Sequence, residues 1–139
     1  MADYTPDIKT LIPQGPPFVM VDHWLGSSGP TARTGFRVTA DHPLTANGRL
    51  GVAGLVENMA QTAAAGAGFA AQAAGGVLRS GVIVSISNLE ITRLPESGEE
   101  LSTEITVVAR VADIVVISGQ VTCRQSVIAR GEMKILLGV

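Results

Sequence analysis

Apolar and polar positions alternate with period two through most of the second half of the chain. Leu101, Thr103, Ile105, Val107, Ala109 and Val111 alternate with Ser102, Glu104, Thr106, Val108 and Arg110. Val127, Ala129, Gly131, Met133 and Ile135 alternate in the same way with Ile128, Arg130, Glu132, Lys134 and Leu136. Successive side chains on a strand point to opposite faces, so the pattern predicts strands with one dry and one wet face, as in an antiparallel sheet. Residues 82–89 and 114–124 read as two further strands, and turns at Pro95-Glu96-Ser97-Gly98-Glu99-Glu100 and Ala112-Asp113 separate the set. Upstream, residues 18–25 and 31–39 predict two more strands around the loop Gly26-Ser27-Ser28-Gly29-Pro30. Phe36 and Val38 share one face of the second, with Arg33, Arg37 and Thr39 on the other.

Between these groups the pattern changes. From about residue 53 to 73 the chain reads as one long helix, uncharged from Asn58 onward, made mostly of Ala and Gly and stopped by Gly75-Gly76. Its interior Gly66 and Gly68 each cost about 1 kcal/mol relative to Ala. Such a cost is accepted where another backbone comes close, which predicts a helix enclosed by the strands. A short helix is expected over residues 4–12, with Thr5 as N-cap, Pro6 at its first position and Ile8, Leu11 and Ile12 on one face. Pro13, Pro16 and Pro17 end it. Residues 40–50 read as a loop. Two strands, a helix and four strands make an α+β fold, and no repeat or linker divides residues 1–139 into more than one domain.

Composition narrows the function. The chain is 46% hydrophobic and only 16% charged, which suggests an apolar face covered by a second subunit. A net charge of −2 gives no electrostatic footprint for nucleic acid. The 58–78 run is long enough to cross a bilayer, but its large apolar residues are only Met59, Phe69, Val77 and Leu78, so no membrane span is expected. Two acids precede the first base at the N-terminus and no apolar block follows, so no signal peptide is expected. Cys123 is the single cysteine, which excludes an internal disulfide and fits a reducing, cytoplasmic setting. It reads as a buried strand residue rather than a nucleophile. One Cys and two distant His offer no metal cluster, and neither a Gly-X-Ser-X-Gly elbow nor a phosphate-binding glycine loop is present.

Four stretches in series then point to a family. Leu11-Ile12-Pro13-Gln14-Gly15-Pro16-Pro17-Phe18-Val19-Met20-Val21-Asp22 resembles the opening of the hotdog-fold hydroxyacyl-acyl-carrier-protein dehydratases. Glu57-Asn58-Met59-Ala60-Gln61 resembles their helix signature, an acid followed by X-Met-Ala-Gln, and Leu94-Pro95 through Gly98-Glu99-Glu100-Leu101, then Glu104-Ile105-Thr106-Val107-Val108, are similar to their loop and long strand. The wording around Glu57 looks closest to a bacterial branch of pigment and lipid-like polyketide pathways, such as aryl polyenes. The resemblance implies six antiparallel strands curled round the central helix, and a dimer joining two sheets edge to edge, either a homodimer or a heterodimer with a second hotdog subunit. The substrate it implies is an acyl thioester on the phosphopantetheine of an acyl carrier protein, or on coenzyme A, with no resident cofactor.

The resemblance also assigns residues. Glu57 falls on the helix acid that protonates the departing hydroxyl; the alternative is an acid favoured simply by the helix N-terminus. Desolvation on an apolar helix raises a carboxyl pKa and the helix N-terminus opposes that shift, so a carboxyl there suits general-acid work. Gln61 lies four residues on and shares its face, either to orient the carboxylate or to cap a packed interface. Gly54 is a candidate carbonyl-binding amide or a close-packing glycine. The family's Gly-His-Phe triplet aligns with Gly48-Arg49-Leu50, which puts Arg49 at the position of the basic His and makes Leu50 a substrate-binding candidate. Arginine stays charged and cannot accept a proton. His42 is then the nearest candidate base, or else an exposed loop histidine, and His23 reads as a surface residue. Three functions follow: a 3-hydroxyacyl dehydratase, a non-catalytic acyl-thioester-binding subunit of a heteromeric dehydratase, or a hotdog acyl thioesterase.

Overall fold

The computed structural model describes residues 5–138. Met1 to Tyr4, which include the expected start of the short helix and the acid-led terminus, lie outside the described residues, as does Val139. The elements in order are a 3-10 turn (Ile8–Thr10), β1 (His23–Ser28), β2 (Thr31–Arg37), β3 (Thr45–Ala46), β4 (Arg49–Leu50), α1 (Val52–Ala73), β5 (Gly81–Ile91), β6 (Glu100–Val111), β7 (Ile114–Cys123) and β8 (Ser126–Leu137). Six strands form one antiparallel sheet in the order β1-β2-β6-β7-β8-β5, and α1 packs on one of its faces. This is a hotdog fold.

Near the N-terminus the structure departs from the pattern. The short helix is a single 3-10 turn capped by Asp7, whose carboxylate accepts from the Lys9 N–H, rather than a helix capped by Thr5. β1 begins at His23, not at residue 18. The reason is that helix side chains satisfy the backbone of residues 18–20: Gln61 and Asn58 take the N–H and C=O groups that a sheet neighbour would otherwise need. The expected 40–50 loop carries a small ribbon, β3 paired with β4, closed by Asn47 and Gly48 at φ 54° and 76°. Two left-handed residues in succession are what a tight two-residue hairpin needs.

Gly66 and Gly68 of α1 answer to close approach by neighbouring chain, Gly68 by backbone and Gly66 by a methyl group. A Cβ on Gly68 would overlap the Leu11 carbonyl, and one on Gly66 would come within 2.8 Å of the Ala32 Cβ. Beneath the first half of the helix lies the main core, where Leu55 and Met59 pack with Ile105, Ile117, Val121 and Met133. A second cluster of Ile8, Leu11, Val21 and Trp24 wraps Ala65, with Phe69 stacked on Trp24 at 5.0 Å between ring centroids.

Two bulges break the simple alternation. On β6, Val107 pairs with Ile117 but Ala109 pairs with Val116, so Val108 is an extra residue. Strand positions beyond it swap faces. Arg110 pairs with the buried Val115 and so sits on the inner face, not on the outer face that strict alternation assigns to it. On β8 the register shifts between Ala129 and Val127, and the intervening Ile128 is buried instead of facing out with Arg130.

β5 closes one end of the sheet and has a neighbour on one side only, β8. Val82, Val84 and Ile86 on it are 50%, 56% and 42% exposed. No helix among the described residues is long and apolar enough to cross a membrane.

Candidate functional site

The helix residues Glu57, Ala60, Ala63, Ala64, Ala67 and Ala70 recur at three- and four-residue spacing and so share one face. The alanines among them are too small to fill the space in front of the sheet. A groove of about 430 Å³ remains between them and the inner face, walled by Ile105, Val107, Val115, Ile117 and Ile135. At about 1.5 Å per residue, the stretch from Glu57 to Ala70 is about 20 Å long. Glu57 is the one carboxylate lining it among the described residues, and Arg79 and Arg110 are the two lining cations. Asn58 bonds Thr103, and Gly66 lies against Ala32, the sheet partner of Ile105. Helix and β6 therefore advance in the same direction. Arg110 lies toward the end of the groove remote from Glu57.

Glu57 is half-buried and sits in the second turn of α1, which has no acid in its first turn. Gln61, only 1% exposed, is held by backbone on both sides of its amide. Its Oε1 accepts from Met20 N–H at 2.7 Å and its Nε2 donates to Phe18 O at 2.9 Å. Those partners fix which end of the amide is nitrogen, and that nitrogen also reaches Glu57 Oε2 at 3.4 Å. Gln61 thus ties the carboxylate to the 18–20 segment.

Below it lies a buried polar network that pattern reading missed. Asn58 Nδ2 donates to Met20 O at 2.8 Å, and Asn58 Oδ1 accepts from Thr103 Oγ1 at 2.5 Å. Thr62 donates to Asn58 O at 2.8 Å and shares a 2.7 Å hydrogen bond with Thr34. All four polar side chains are fully buried. The available signal was their spacing: Asn58 and Thr62 fall on the same helix face as Leu55 and Met59.

The remaining candidates are placed apart from the groove. Leu50 is fully buried in the main core and does not line it. A Cβ on Gly54 would overlap the Leu50 side chain, so Gly54 is a close-packing glycine. Its amide also belongs to the first turn of α1, where no carbonyl four residues back in the helix is available and Gly51 supplies no side-chain cap. Arg49 is exposed on β4, bridges to Glu96 through the backbone, and brings its guanidinium 3.9 Å from the Glu96 carboxylate. His42 has both ring nitrogens engaged. Leu44 N–H donates to Nδ1 at 3.1 Å, which requires Nε2 to carry the proton it shares with Val19 O at 3.2 Å. It is therefore neither an exposed loop residue nor one with a free lone pair, and it does not line the groove. His23 is exposed on β1. No group of three or more His, Cys, Asp or Glu among the described residues is placed to hold a metal.

The loop that meets Arg49 is itself latched. Glu99, whose side chain is 8% exposed, takes Arg93 in a two-pronged ion pair at 2.8 and 3.1 Å and Arg124 at 2.8 Å. It also accepts from Glu96 N–H at 2.7 Å and from Cys123 Sγ at 3.4 Å. The Arg93 hydrogen bonds, then the Glu96 N–H, hold the Glu99 carboxyl at about 2, and Arg93 is raised in turn. Burial, then the neighbouring Glu99, pushes the Cys123 thiol up. Cys123 is buried at the end of β7, in keeping with a packed thiol.

Comparison with known proteins places this architecture. In the dehydratase heterocomplex ApeI:P from Xenorhabdus doucetiae, a chain superposes with a TM-score of 0.89 at 15% identity, over 96% of this chain and 91% of that one. The PaaI protein of the E. coli phenylacetic acid degradation operon matches with a TM-score of 0.64 at 16% identity, over 81% and 80% of the two chains. A hypothetical thioesterase from Streptococcus pneumoniae, determined with coenzyme A, matches with a TM-score of 0.63 at 12% identity, over 83% and 84%. No curated protein matches the sequence. The family model described as ApeP-like, ApeP dehydratase, matches residues 6–137. The chain belongs to the ApeP-like dehydratase family.

Proposed function

We propose that this chain is a subunit of a 3-hydroxyacyl thioester dehydratase, with Glu57 as its acid, in fatty-acid or polyketide-type lipid or pigment biosynthesis. The observation that carries the reading is a single carboxylate, oriented by Gln61, at one end of an apolar groove wide enough for a hydrocarbon chain. In the reaction a base removes the proton α to the thioester carbonyl, the β-carbon–oxygen bond breaks, and Glu57 delivers its proton so that the hydroxyl leaves as water. The first-turn amides of α1 lack an acceptor within the helix, and in this reading the Gly54 amide, though not lining the groove, is the one that polarises the thioester oxygen. The thioester arrives on the phosphopantetheine of an acyl carrier protein or on coenzyme A, and the chain brings no cofactor of its own. A cytoplasmic setting suits the free, buried thiol of Cys123.

The base belongs to a partner in this reading. Arg49 stands where the family's His is expected, and both nitrogens of His42 are taken by backbone. The open β5 edge, with its exposed Val82, Val84 and Ile86, suits pairing with a second hotdog subunit. The same features favour a second reading in which this chain binds the thioester and leaves the chemistry to its partner.

The test is to co-purify the chain with its partner and follow two readouts on 3-hydroxyacyl-carrier thioesters: interconversion with the enoyl thioester, and release of free thiol. Interconversion that falls at least a hundredfold in Glu57→Gln, with the fold intact, supports the acid role. Unchanged interconversion in that variant assigns the chemistry to the partner, and thiol release without interconversion assigns a thioesterase.

A further inference from the structure

The bulge at Val108 turns a cation into the groove. Strict alternation from Val107 puts Arg110 on the wet outer face; the extra residue puts it opposite Val115, on the inner face, lining the groove. Arg79, the other cation lining the groove, is already paired with Asp113 at 3.3 Å. Arg110 is exposed at its end of the groove, and its side chain has no ion-pair or hydrogen-bond partner among the described residues. Apart from Glu57 and Arg110 the walls are Ala, Gly, Pro, Val, Ile, Leu and Phe, with Gln14, Ser27, Thr31 and the paired Arg79 the exceptions. Such walls suit hydrocarbon. A pantetheine arm laid there would bury its two amides against side chains that mostly cannot pair with them.

We propose that Arg110 selects acyl chains whose far end carries an anionic oxygen group, a carboxylate above all, over chains that end in methyl. The inference rests on the reading that the thioester sits at Glu57 and the acyl chain runs toward the C-terminal end of α1. An unpaired guanidinium at the end of an apolar groove of about 20 Å gives a methyl terminus nothing, and gives a carboxylate a charge-assisted, two-pronged hydrogen bond. Glu57 and Arg110 then read the two ends of one substrate.

Binding of unreactive probes tests this without turnover. Saturated hexadecanoyl-pantetheine and its ω-carboxy counterpart, neither carrying phosphate, are titrated into the full chain and followed by calorimetry and by Trp24 emission, since Trp24 stacks on the groove residue Phe69. The ω-carboxy probe is expected to bind about three- to fivefold tighter, the worth of a solvent-screened ion pair. That preference disappears in Arg110→Leu, survives in part in Arg110→Lys, and is unchanged in Arg124→Leu, which removes an exposed arginine outside the groove. Equal binding of the two probes, failure of both to bind, or a preference that persists in Arg110→Leu overturns the proposal. So does a methyl-ended probe that gains affinity through Arg110 once a 4′-phosphate is added, because the arm then occupies that end. Glu57→Gln separates the two readings: loss of interconversion in that variant with no ω-carboxylate preference in the parent sinks the specificity and leaves the dehydratase.

Discussion

Replacing Asn58 by Ala removes the residue on which three elements meet. The side chain joins α1 to the Met20 carbonyl and to the Thr103 hydroxyl on β6, at 2.8 and 2.5 Å, with no solvent access. In Asn58→Ala both partners lose their bond inside the protein, and each buried orphan costs about 1–3 kcal/mol. The missing amide also leaves a small void. The sum is about 3–5 kcal/mol, a large share of the roughly 5–15 kcal/mol that holds a typical domain. For a chain of this size that corresponds to a fall in Tm of about 10–20 °C. Urea unfolding followed by far-ultraviolet circular dichroism gives the value, with Thr103→Val and the double variant completing a cycle. Thr103→Val alone orphans the Asn58 carbonyl oxygen; the double variant has no such orphan, so its loss falls short of the sum of the two single losses by about 1 kcal/mol or more. A loss below about 1 kcal/mol in Asn58→Ala, or strict additivity in the cycle, refutes the view that this network bears on stability.

Three further outcomes follow from the packing. Gly68→Ala drives a methyl into the Leu11 carbonyl and is expected to cost about 2 kcal/mol or more in urea unfolding, whereas Gly66→Ala, facing only the Ala32 methyl, costs clearly less; equal costs would contradict the close approach. The Glu99 carboxyl is depressed from the usual 4.5 to about 2, so the stability it confers is complete above about 4.5 and is lost as pH falls through about 2. Glu99→Gln should flatten the decline of Tm over that window, and an unchanged decline would count against the latch. His42→Ala frees the Val19 carbonyl and the Leu44 amide, so it is expected to lower Tm while turnover in the paired complex stays within a few-fold; a collapse of turnover at unchanged Tm would restore His42 as the base.

The sequence carried the strands and the helix because one physical rule, burial of apolar faces, writes itself as a period of two or of 3.6. The helix expected at 53–73 is observed at Val52–Ala73, and its Gly66 and Gly68 report real close approaches, to the Ala32 methyl and to the Leu11 carbonyl. Glu57 and Gln61 were visible through resemblance and share a helix face in the structure. What a period cannot show is a skipped residue. One bulge at Val108 reassigns Arg110 from outside to inside, and another buries Ile128, without any change in local composition. Nor does hydropathy reveal Asn58, which is polar by type and core by position because its partners lie 38 and 45 residues away. The start of β1 was misread for the same reason, since residues 18–20 are satisfied by helix side chains from far along the chain.

The β5 edge has a consequence for how much of this protein a cell can keep. Its 11 residues contain neither proline nor lysine, the residues that commonly blunt a free strand, and three of its apolar side chains are half-exposed or nearly so. A chain with such an edge has a lifetime set by its concentration and by that of whatever covers it. Under the proposed pairing with a second subunit, copies made in excess of that subunit present an open template to one another and to proteases. In that case the amount of folded protein follows the scarcer subunit, and stoichiometry is enforced at the level of a single strand.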